Sequence, residues 1–463
     1  GQSNRFHSKV FFRCAGGLDA AEQSGGATGG RKRQRKEKLG MTDFHQDGII
    51  TTLHDLAGGL DAAEYLALTE QKLRQDNRQR RLALLLPSLY SELDAPHVLD
   101  RIVAELQKTG YLSHVTVALG GTKDPRDFFR ARSYFGRLAG ENRSVRVVWV
   151  DGPRLQDILQ LIEERQVPIG SAGKGQSVWL GLGYMLARND CDVIALHDCD
   201  IVDYNRLLLG RLLEPAANPN NDFEFSKGYY GRVSPQDYRL RGRVTRLFVL
   251  PLVDSLVQLM SRQGRPDLVQ FFRYHQTFRY PLAGEIAFTS RLARGLNIAF
   301  DWSLEVSTLS EVYERISPRK IAQIDLCCLY EHKHQDVSVE DSRRGLHRMV
   351  ADIGRFYLNY LRSHGVALTS AYVDAICQTY YRNALRFVKI YADDADVNHL
   401  SFDRYEEELT VKHFRDFLWE AWSAVEVDPA EMSLPSWNRI VFSIPDIYDR
   451  LLEAVEADAC EPE

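Results

Sequence analysis

The chain has 463 residues, of which 44% are hydrophobic and 26% charged, as expected for a soluble globular protein of two or three domains. No continuous apolar run approaches the roughly 20 residues that span a bilayer, and the N-terminal sequence lacks the charged-then-apolar order of a secretory signal. Seven scattered cysteines without a Cys-x-x-Cys pair argue against a disulfide framework and a zinc site. We therefore expect a cytoplasmic protein.

The first forty residues differ in composition from the rest. They contain nine Lys or Arg and three Asp or Glu, whereas the whole chain has a formal net charge of −5. Residues 15–22 recur identically at 57–64, and a basic run at 31–38 precedes Met41. Such a run is typical of a nucleic-acid or membrane tether, but a leader, a tag or a misassigned start is the favoured interpretation. Because the remainder is acidic, we expect no nucleic-acid partner and no membrane partner for the folded part.

From residue 81 onward, apolar runs alternate with amphipathic stretches. Four apolar runs predict buried strands at Leu82–Leu86, Val115–Leu119, Val145–Val150 and Val193–His197. The stretches between them predict helices near Ala95–Lys108, Arg126–Leu138 and Gln176–Ala187. Strands that alternate with helices imply right-handed β-α-β units and a mostly parallel sheet. The predicted fold is α/β and Rossmann-like, without the Gly-x-Gly-x-x-Gly signature of a dinucleotide site.

After about residue 336 the pattern becomes mainly helical, with apolar and aromatic residues at three-to-four spacing in Ile353–Leu361 and Tyr380–Tyr391. Such stripes usually form a core or an oligomer interface, so we expect a helical C-terminal extension and a homodimer. The sequence thus predicts four parts: a disordered leader or tag at 1–40, a helical segment at 41–80, an α/β domain at 81–335 and the helical extension at 336–463.

Two carboxylates follow the fourth predicted strand. Asp198 and Asp200 lie just beyond its carboxyl end, where ligands bind in open α/β sheets. Two acids in this place suit a hard divalent cation held against a diphosphate. A second Asp-Cys-Asp, residues 190–192, lies at the entrance of the same strand, so the later pair is the favoured site.

The turns after the first two strands are candidate nucleotide contacts. Pro87, Leu89 and Glu92 lie in a Pro-containing turn that can present backbone groups and a carboxylate to a base or a ribose. Gly120 and Gly121 end the second strand, where glycine lets the backbone approach a ligand closely. Taken alone, the Pro-containing turn is more typical of an ordinary connection between a strand and a helix, and the glycines also occur in simple turns.

Two further segments carry residue types that bind anions. Lys174 stands between two glycines at the start of a predicted helix, where free N–H groups and the helix dipole favour negative charge. A P-loop is excluded by the spacing, and a solvated turn lysine remains the alternative. Arg243 and Thr245, with Gly242 and Val244, suit a phosphate or a carboxylate. The alternative there is a charged helix N-terminus.

Taken in order, these segments resemble the retaining GT-A glycosyltransferases that make glucosyl-3-phosphoglycerate or mannosyl-3-phosphoglycerate. The resemblance covers about residues 80–335, with weaker likeness near Leu434–Trp437. Seven segments follow the order of the family's motifs: Pro87–Leu89, Gly173–Gly175, Asp198–Asp200, Gly242–Thr245, Pro281–Glu285, Ser303–Val306 and Glu331–His334. The resemblance therefore implies a GT-A domain over residues 81–335.

The same resemblance implies how the donor and the metal are bound. A Mg²⁺ or Mn²⁺ ion would be held by Asp200 and His332, with His334 as the alternative ligand, and Asp198 would contact the donor ribose or a water. Lys174 would stabilise the leaving diphosphate. The remaining donor contacts would come from the two turns, at Pro87, Leu89, Glu92, Gly120 and Gly121.

For the acceptor, the resemblance implies that Gly242, Arg243, Val244 and Thr245 bind the phosphate of 3-phosphoglycerate. Glu305 would orient hydroxyls of the donor sugar. Attack from the face of the leaving group, with a diphosphate oxygen accepting the proton, would retain the α configuration. Asp200, Lys174 and Glu305 are thus the expected catalytic residues.

The chain also departs from the family pattern. Tyr90-Ser91 replaces Asn-Glu in the nucleotide turn, and Ala118-Leu119 stands where the family has an aspartate near the end of the second strand. Asp301-Trp302 precedes the Ser303–Val306 segment and can reshape the sugar pocket. The choice between a uracil and a guanine base therefore stays open.

Three functions compete at this point. The favoured one is a glucosyltransferase that uses UDP- or GDP-glucose and 3-phosphoglycerate, whose product would serve as a compatible-solute or polysaccharide precursor. The alternatives are a mannosyltransferase that uses GDP-mannose and a non-catalytic protein that binds sugar nucleotides. A nucleotidyltransferase is disfavoured because residues 87–92 are not the Gly-rich, basic loop that it needs after the first strand.

Overall fold

A computed structural model describes residues 46, 48–57, 60–234, 237–327, 345–427 and 433–460. The predicted leader at 1–40 lies outside the described residues, and so do His332 and His334.

Among the residues that the structure describes, eight strands form one central sheet and two more form a separate antiparallel hairpin. In chain order the strands of the described residues are β1 Thr51–Leu53, β2 Leu82–Leu89, β3 His114–Gly120, β4 Ser144–Trp149, β5 Val193–Leu196, β6 Phe225–Tyr230, β7 Val233–Ser234, β8 Arg239–Leu240, β9 Ile286–Thr289 and β10 Ile321–Cys327. The spatial order of the sheet is β1-β10-β6-β9-β5-β2-β3-β4. All neighbours are parallel except β9, which runs antiparallel to both β5 and β6.

Helices flank this sheet and make up most of the chain after it. The α-helices of the described residues are α1 Ala62–Asp76, α2 His97–Gln107, α3 Pro125–Gly136, α4 Pro153–Glu164, α5 Lys174–Arg188, α6 Arg206–Ala217, α7 Leu250–Arg262, α8 Pro266–Thr277, α9 Ser290–Ala293, α10 Leu304–Arg315, α11 Gly345–Ser363, α12 Ser370–Val397, α13 Arg404–Val427, α14 Trp437–Ser443 and α15 Ile447–Asp458. A π-helical turn, Val244–Val249, leads into α7. The predicted α/β class with a helical C-terminal region is confirmed.

Alternation along the strands divides the apolar residues between the two faces of the sheet. Ala83 and Leu85 of β2 belong to one core, while Leu84 and Leu86 belong to the other. Because both faces are covered, the strand reads as a continuous apolar run, which is why its position was predictable.

A third core joins the helices before and after β10. Leu252 of α7 and Phe271 of α8 pack in one cluster with Tyr357 of α11, Tyr380 of α12 and Phe414 of α13. The stretch Val244–Arg262 is long and apolar enough to cross a membrane by length and composition alone, but 72% of it is buried inside the fold, as in a core helix. The predicted boundaries of the four sequence parts stay a prediction.

Candidate active site

The nucleotide turn and the glycine pair lie side by side because β2 and β3 are parallel neighbours. The register pairs Leu89 with Gly120, and Leu89 Cδ2 lies 3.5 Å from where a Cβ would stand on Gly121. Pro87 is buried within β2, whereas Leu89 is 55% exposed at its end. The structure therefore brings these four predicted donor contacts to one edge of the sheet.

Two carboxylates border this edge. Glu92 accepts a hydrogen bond from Ser88 Oγ at 2.7 Å, and Asp151 Oδ2 accepts one from the Gly121 N–H at 2.7 Å. The sequence analysis missed Asp151, although its place directly after a predicted strand was a usable signal. Asp151, which follows β4, therefore places a carboxylate beside the end of β3, a position where the sequence of β3 has no acid.

Lys174 joins three segments that are far apart in sequence. It begins α5, and its Nζ lies 2.8 Å from Asp198 Oδ1 after β5 and 3.0 Å from Glu305 Oε1 in the first turn of α10. Burial lowers the pKa of Lys174, but the two carboxylates outweigh burial and raise this pKa well above its ordinary value. The predicted donor lysine, acid and sugar-orienting glutamate thus form one ion-paired cluster.

The loop Pro281–Glu285 approaches this cluster from the antiparallel strand β9. A Cβ on Gly284 would lie 2.4 Å from Asp198 Oδ2, so any larger residue at this position would displace the Asp198 carboxylate. The next residue, Glu285, is fully buried and accepts a hydrogen bond from Tyr230 Oη at 2.9 Å. The loop therefore forms one wall of the site.

A second lysine, which the sequence analysis missed, holds the same loop. Lys227 of β6 is 1% exposed, and its Nζ donates a hydrogen bond to the Ala283 carbonyl oxygen at 2.6 Å. Burial lowers its pKa to about 8, while the charges of Glu305 and Glu285 raise it and Lys174 lowers it further. The positive charges of the two lysines thus compensate those of the carboxylates around them, so this cluster carries little excess charge of either sign.

Asp198 and Asp200 follow β5, and both are partly exposed. Within the described ranges no group of three or more His, Cys, Asp or Glu side chains is arranged to hold a metal, and His332 and His334 lie outside those ranges. The two carboxylates are hard oxygen donors of the kind that Mg²⁺ and Mn²⁺ prefer. The donor chemistry at this place therefore fits the expected metal.

Arg243, the predicted acceptor-binding arginine, is held by the first turns of α13. Its Nε donates to Glu407 Oε1 at 3.0 Å, and its Nη2 forms an ion pair with Glu406. Glu407 also pairs with Arg246 Nη1 at 2.9 Å. The sequence analysis missed both glutamates, because they lie more than 150 residues away in a helix that carries no motif.

The other residues of this segment differ in what they can offer a ligand. Gly242 has a φ of +73° and lies at the bend before the π-helical turn. The Val244 side chain belongs to the helical core, so only its backbone can reach a ligand. Thr245 is 2% exposed, and its Oγ1 is buried without a hydrogen-bond partner among the described residues. The segment therefore starts a helix and also carries a buried hydroxyl without a partner among the described residues.

Two curated relatives are similar to the chain along almost all of its length. Glucosyl-3-phosphoglycerate synthase from Persephonella marina is 38% identical over 420 residues, which cover 90% of this chain and 99% of that protein. The protein of the same name from Methanococcoides burtonii is 35% identical over 421 residues, which cover 90% and 98%. No family model matches the chain.

Solved structures with weaker similarity include glucosyl-3-phosphoglycerate synthase from Mycobacterium tuberculosis. Its complex with phosphoglyceric acid is 20% identical, with a TM-score of 0.47 over 70% of this chain and 90% of that one. Its complex with Mg²⁺ and UDP is 22% identical, with a TM-score of 0.46 over 70% and 89%. From the two end-to-end similarities to curated relatives, we conclude that the chain belongs to the glucosyl-3-phosphoglycerate synthase family.

Proposed function

We propose that this chain transfers glucose from UDP- or GDP-glucose to the 2-hydroxyl of 3-phosphoglycerate, with retention of the anomeric configuration. The observation that carries the proposal is the cluster of Lys174 with Asp198 and Glu305, at the edge of the sheet where the nucleotide turn also lies. The names of the curated relatives favour neither mannosyl transfer nor a non-catalytic role.

On the donor side, the turns after β2 and β3 would bind the nucleotide. Asp200 would hold Mg²⁺ or Mn²⁺ together with His332 or His334, and Asp198 would support it. When bound, the metal supplies positive charge that stabilises the leaving diphosphate. Lys174 would add a fixed cation of the same sign, already held in place by its two carboxylate partners.

On the acceptor side, Arg243 and Thr245 would bind the phosphate and turn the 2-hydroxyl toward the anomeric carbon. The bond from this oxygen to the anomeric carbon forms as the bond from that carbon to the diphosphate breaks. The hydroxyl proton goes to a diphosphate oxygen. Glu305 would orient sugar hydroxyls, because its carboxylate is held by Lys174.

A turnover screen tests this function. The full chain is incubated with UDP-glucose, GDP-glucose or GDP-mannose, with and without 3-phosphoglycerate, in Mg²⁺ and in EDTA. We expect product only with a glucose donor, the acceptor and the metal. Turnover with GDP-mannose alone would contradict the sugar assignment, and no turnover with any pair would contradict the proposed function.

The second Asp-Cys-Asp offers a matched control for the metal assignment. Asp200→Ala should abolish turnover and leave the circular dichroism spectrum unchanged. Asp192→Ala, at the opposite end of β5 where Asp192 pairs with Arg81, should retain turnover. Activity in Asp200→Ala would contradict the assignment of Asp200 to the metal.

We also propose that the protein is a homodimer. We place it in the cytoplasm, with neither nucleic acid nor a membrane as partner. Support comes from exposed apolar side chains on two neighbouring helices, Ile390 and Val397 on α12 and Tyr405 and Leu409 on α13. Light scattering of the eluted protein should give twice the chain mass of 52.9 kDa. A value equal to the chain mass would contradict the dimer.

A further inference from the structure

An arginine outside the Gly-Arg-Val-Thr segment lies close to that segment. Arg232 follows β6, and its backbone carbonyl accepts a hydrogen bond from the Arg241 N–H at 2.8 Å, so the turn after β6 lies next to Gly242. Its Nη1 donates to Tyr280 Oη at 3.4 Å. Tyr280 Oη lies 2.7 Å from where a Cβ would stand on Gly242. One phenol therefore separates the Arg232 guanidinium from the predicted phosphate site.

Three buried polar atoms in this neighbourhood have no hydrogen-bond partner among the described residues. They are Arg232 Nε, Arg241 Nε and Thr245 Oγ1. A polar atom that is buried and unpaired costs free energy, so in a folded protein it usually marks the place of a ligand or a water. All three atoms can donate a hydrogen bond, and two of them belong to cations. These donors therefore suit an anionic ligand with more than one acceptor group.

The position of Arg232 also relates it to the metal acids. Burial lowers the pKa of Arg232, but electrostatic interactions with Tyr280, Tyr230 and Asp200 raise this pKa overall. Arg232 thus interacts electrostatically with Asp200 on the donor side, while its carbonyl is bonded to the residue that precedes Gly242.

In 3-phosphoglycerate the carboxylate is bonded to the carbon that bears the reacting 2-hydroxyl, whereas the phosphate lies at the other end of the molecule. A group that holds the carboxylate therefore sets the position of the attacking oxygen more closely than a group that holds the phosphate. The unpaired Nε of Arg232 belongs to the donor fork that fits a carboxylate. We propose that Arg232 binds the carboxylate of 3-phosphoglycerate while Arg243 and Thr245 bind its phosphate, an assignment that rests on the proposed function.

The test compares two ligands that differ at one group. Glycerol 3-phosphate has the same phosphate and 2-hydroxyl as the acceptor, but a neutral hydroxymethyl group replaces the carboxylate. The acceptor KM and the inhibition constant for glycerol 3-phosphate are measured for the wild type, Arg232→Met and Arg243→Met. The Kd for UDP in Mg²⁺, measured by calorimetry, shows whether the donor side is intact.

We expect Arg232→Met to raise the acceptor KM about 10- to 100-fold, as for the loss of a charge-assisted bidentate contact. It should leave the inhibition constant for glycerol 3-phosphate and the Kd for UDP within about twofold of wild type. Arg243→Met should weaken both phosphate ligands equally. Arg232→Lys, which keeps the charge and loses the fork, should recover only part of the loss.

Equal weakening of both ligands by Arg232→Met, or no weakening of either, would overturn the carboxylate assignment. A loss of UDP binding in this variant would also overturn it, because Arg232 would then act by holding Tyr280 and the donor side together. A wild-type chain that neither binds nor turns over 3-phosphoglycerate would instead overturn the proposed function, so the two failures are distinguishable.

Discussion

At the scale of single residues, the site is organised around two lysines with different surroundings. Lys174 has carboxylate oxygens of both Asp198 and Glu305 within 3.0 Å of its ammonium group. Lys227 is more deeply buried, and the partner of its ammonium group is the Ala283 carbonyl. A neutral partner compensates the loss of hydration less well than a charged one, so the pKa of Lys227 falls to about 8 while that of Lys174 rises.

This difference predicts how stability changes with pH. Lys227 has a lower pKa in the folded chain than its ordinary value of about 10.4 in the unfolded chain. Between these two values the unfolded chain binds more protons, so the free energy of unfolding rises with pH. From pH 7.5 to 9.5 the contribution of Lys227 should rise by roughly 2 kcal/mol.

The measurement is urea unfolding of wild type and Lys227→Met at both pH values. The difference between the two proteins isolates Lys227 from other groups that titrate in this range. The wild type should gain stability relative to Lys227→Met as the pH rises. A difference that stays constant, or that changes in the opposite direction, would contradict the lowered pKa.

The residues that sequence analysis could find are those in short motifs at the ends of strands or the starts of helices. Lys174, Asp198 and Glu305 belong to such motifs. Lys227 could not be recognised in this way, since it has a role only through contact with a distant backbone group, Ala283 O. Asp151 does follow a predicted strand, but its bond to the Gly121 N–H could not be foreseen from its place in the sequence. Such contacts depend on the order of the strands, which the local pattern does not contain.

At the scale of elements, helix α13 acts on the acceptor segment through two adjacent glutamates in different surroundings. The Glu407 side chain is 6% exposed and contacts both Arg243 and Arg246. The Glu406 side chain is 41% exposed and contacts Arg243 Nη2. We therefore expect the buried glutamate to hold the arginine in place and the exposed one to compete with the phosphate that Arg243 is proposed to bind.

The two glutamates should consequently give opposite results when each is replaced by glutamine. Glu406→Gln should lower the acceptor KM about twofold to fivefold, the range that a partly exposed ion pair is worth. Glu407→Gln should raise this KM and lower the free energy of unfolding by roughly 1–3 kcal/mol, because Arg246 loses a charged partner in a buried place. Acceptor-dependent kinetics and urea unfolding measure both effects.

Each replacement serves as the control for the other, since the two residues are neighbours in one helix. A rise in the acceptor KM in Glu406→Gln would show that this glutamate also positions Arg243. An unchanged KM in Glu407→Gln would show that Arg243 does not depend on the buried pair.

The elements themselves were predictable to different degrees. Strands β2 to β5 were found because each contains a run that is mostly apolar. The edge strand β1 has only three residues, and β10 carries Gln323 and Asp325 within its run, so neither has the pattern of a buried strand. Strand β9 has four residues and runs antiparallel, which a sequence of alternating strands and helices does not predict.

At the scale of the whole molecule, the last helices return to the sheet instead of ending in the helical extension. Trp437 of α14 stacks on Trp179 of α5 with ring centroids 4.4 Å apart. Each indole N–H also donates a hydrogen bond across this contact. Trp179 Nε1 donates to the Pro435 carbonyl oxygen at 2.7 Å, and Trp437 Nε1 donates to the Trp179 carbonyl oxygen at 3.0 Å. Asp458 accepts hydrogen bonds from two N–H groups in the first turn of α4.

This packing links α14 to the cluster of Lys174 with Asp198 and Glu305, because α5 begins with Lys174. Trp437 is 1% exposed, so Trp437→Ala would leave a large cavity against α5. We expect it to lower the free energy of unfolding by about 3–5 kcal/mol. Phe442→Ala, in the same helix but 90% exposed, should change this free energy by less than about 0.5 kcal/mol.

Urea unfolding of the two variants, followed by tryptophan fluorescence and by circular dichroism, measures both changes. If α14 stabilises the sheet, Trp437→Ala should also raise the KM for the glucose donor, since Lys174 lies at the start of the helix that Trp437 supports, while Phe442→Ala should not. A Trp437→Ala protein with wild-type stability would show that α14 is not needed to hold α5. A loss of stability with an unchanged donor KM would show that the position of Lys174 is set by its carboxylate partners Asp198 and Glu305 alone.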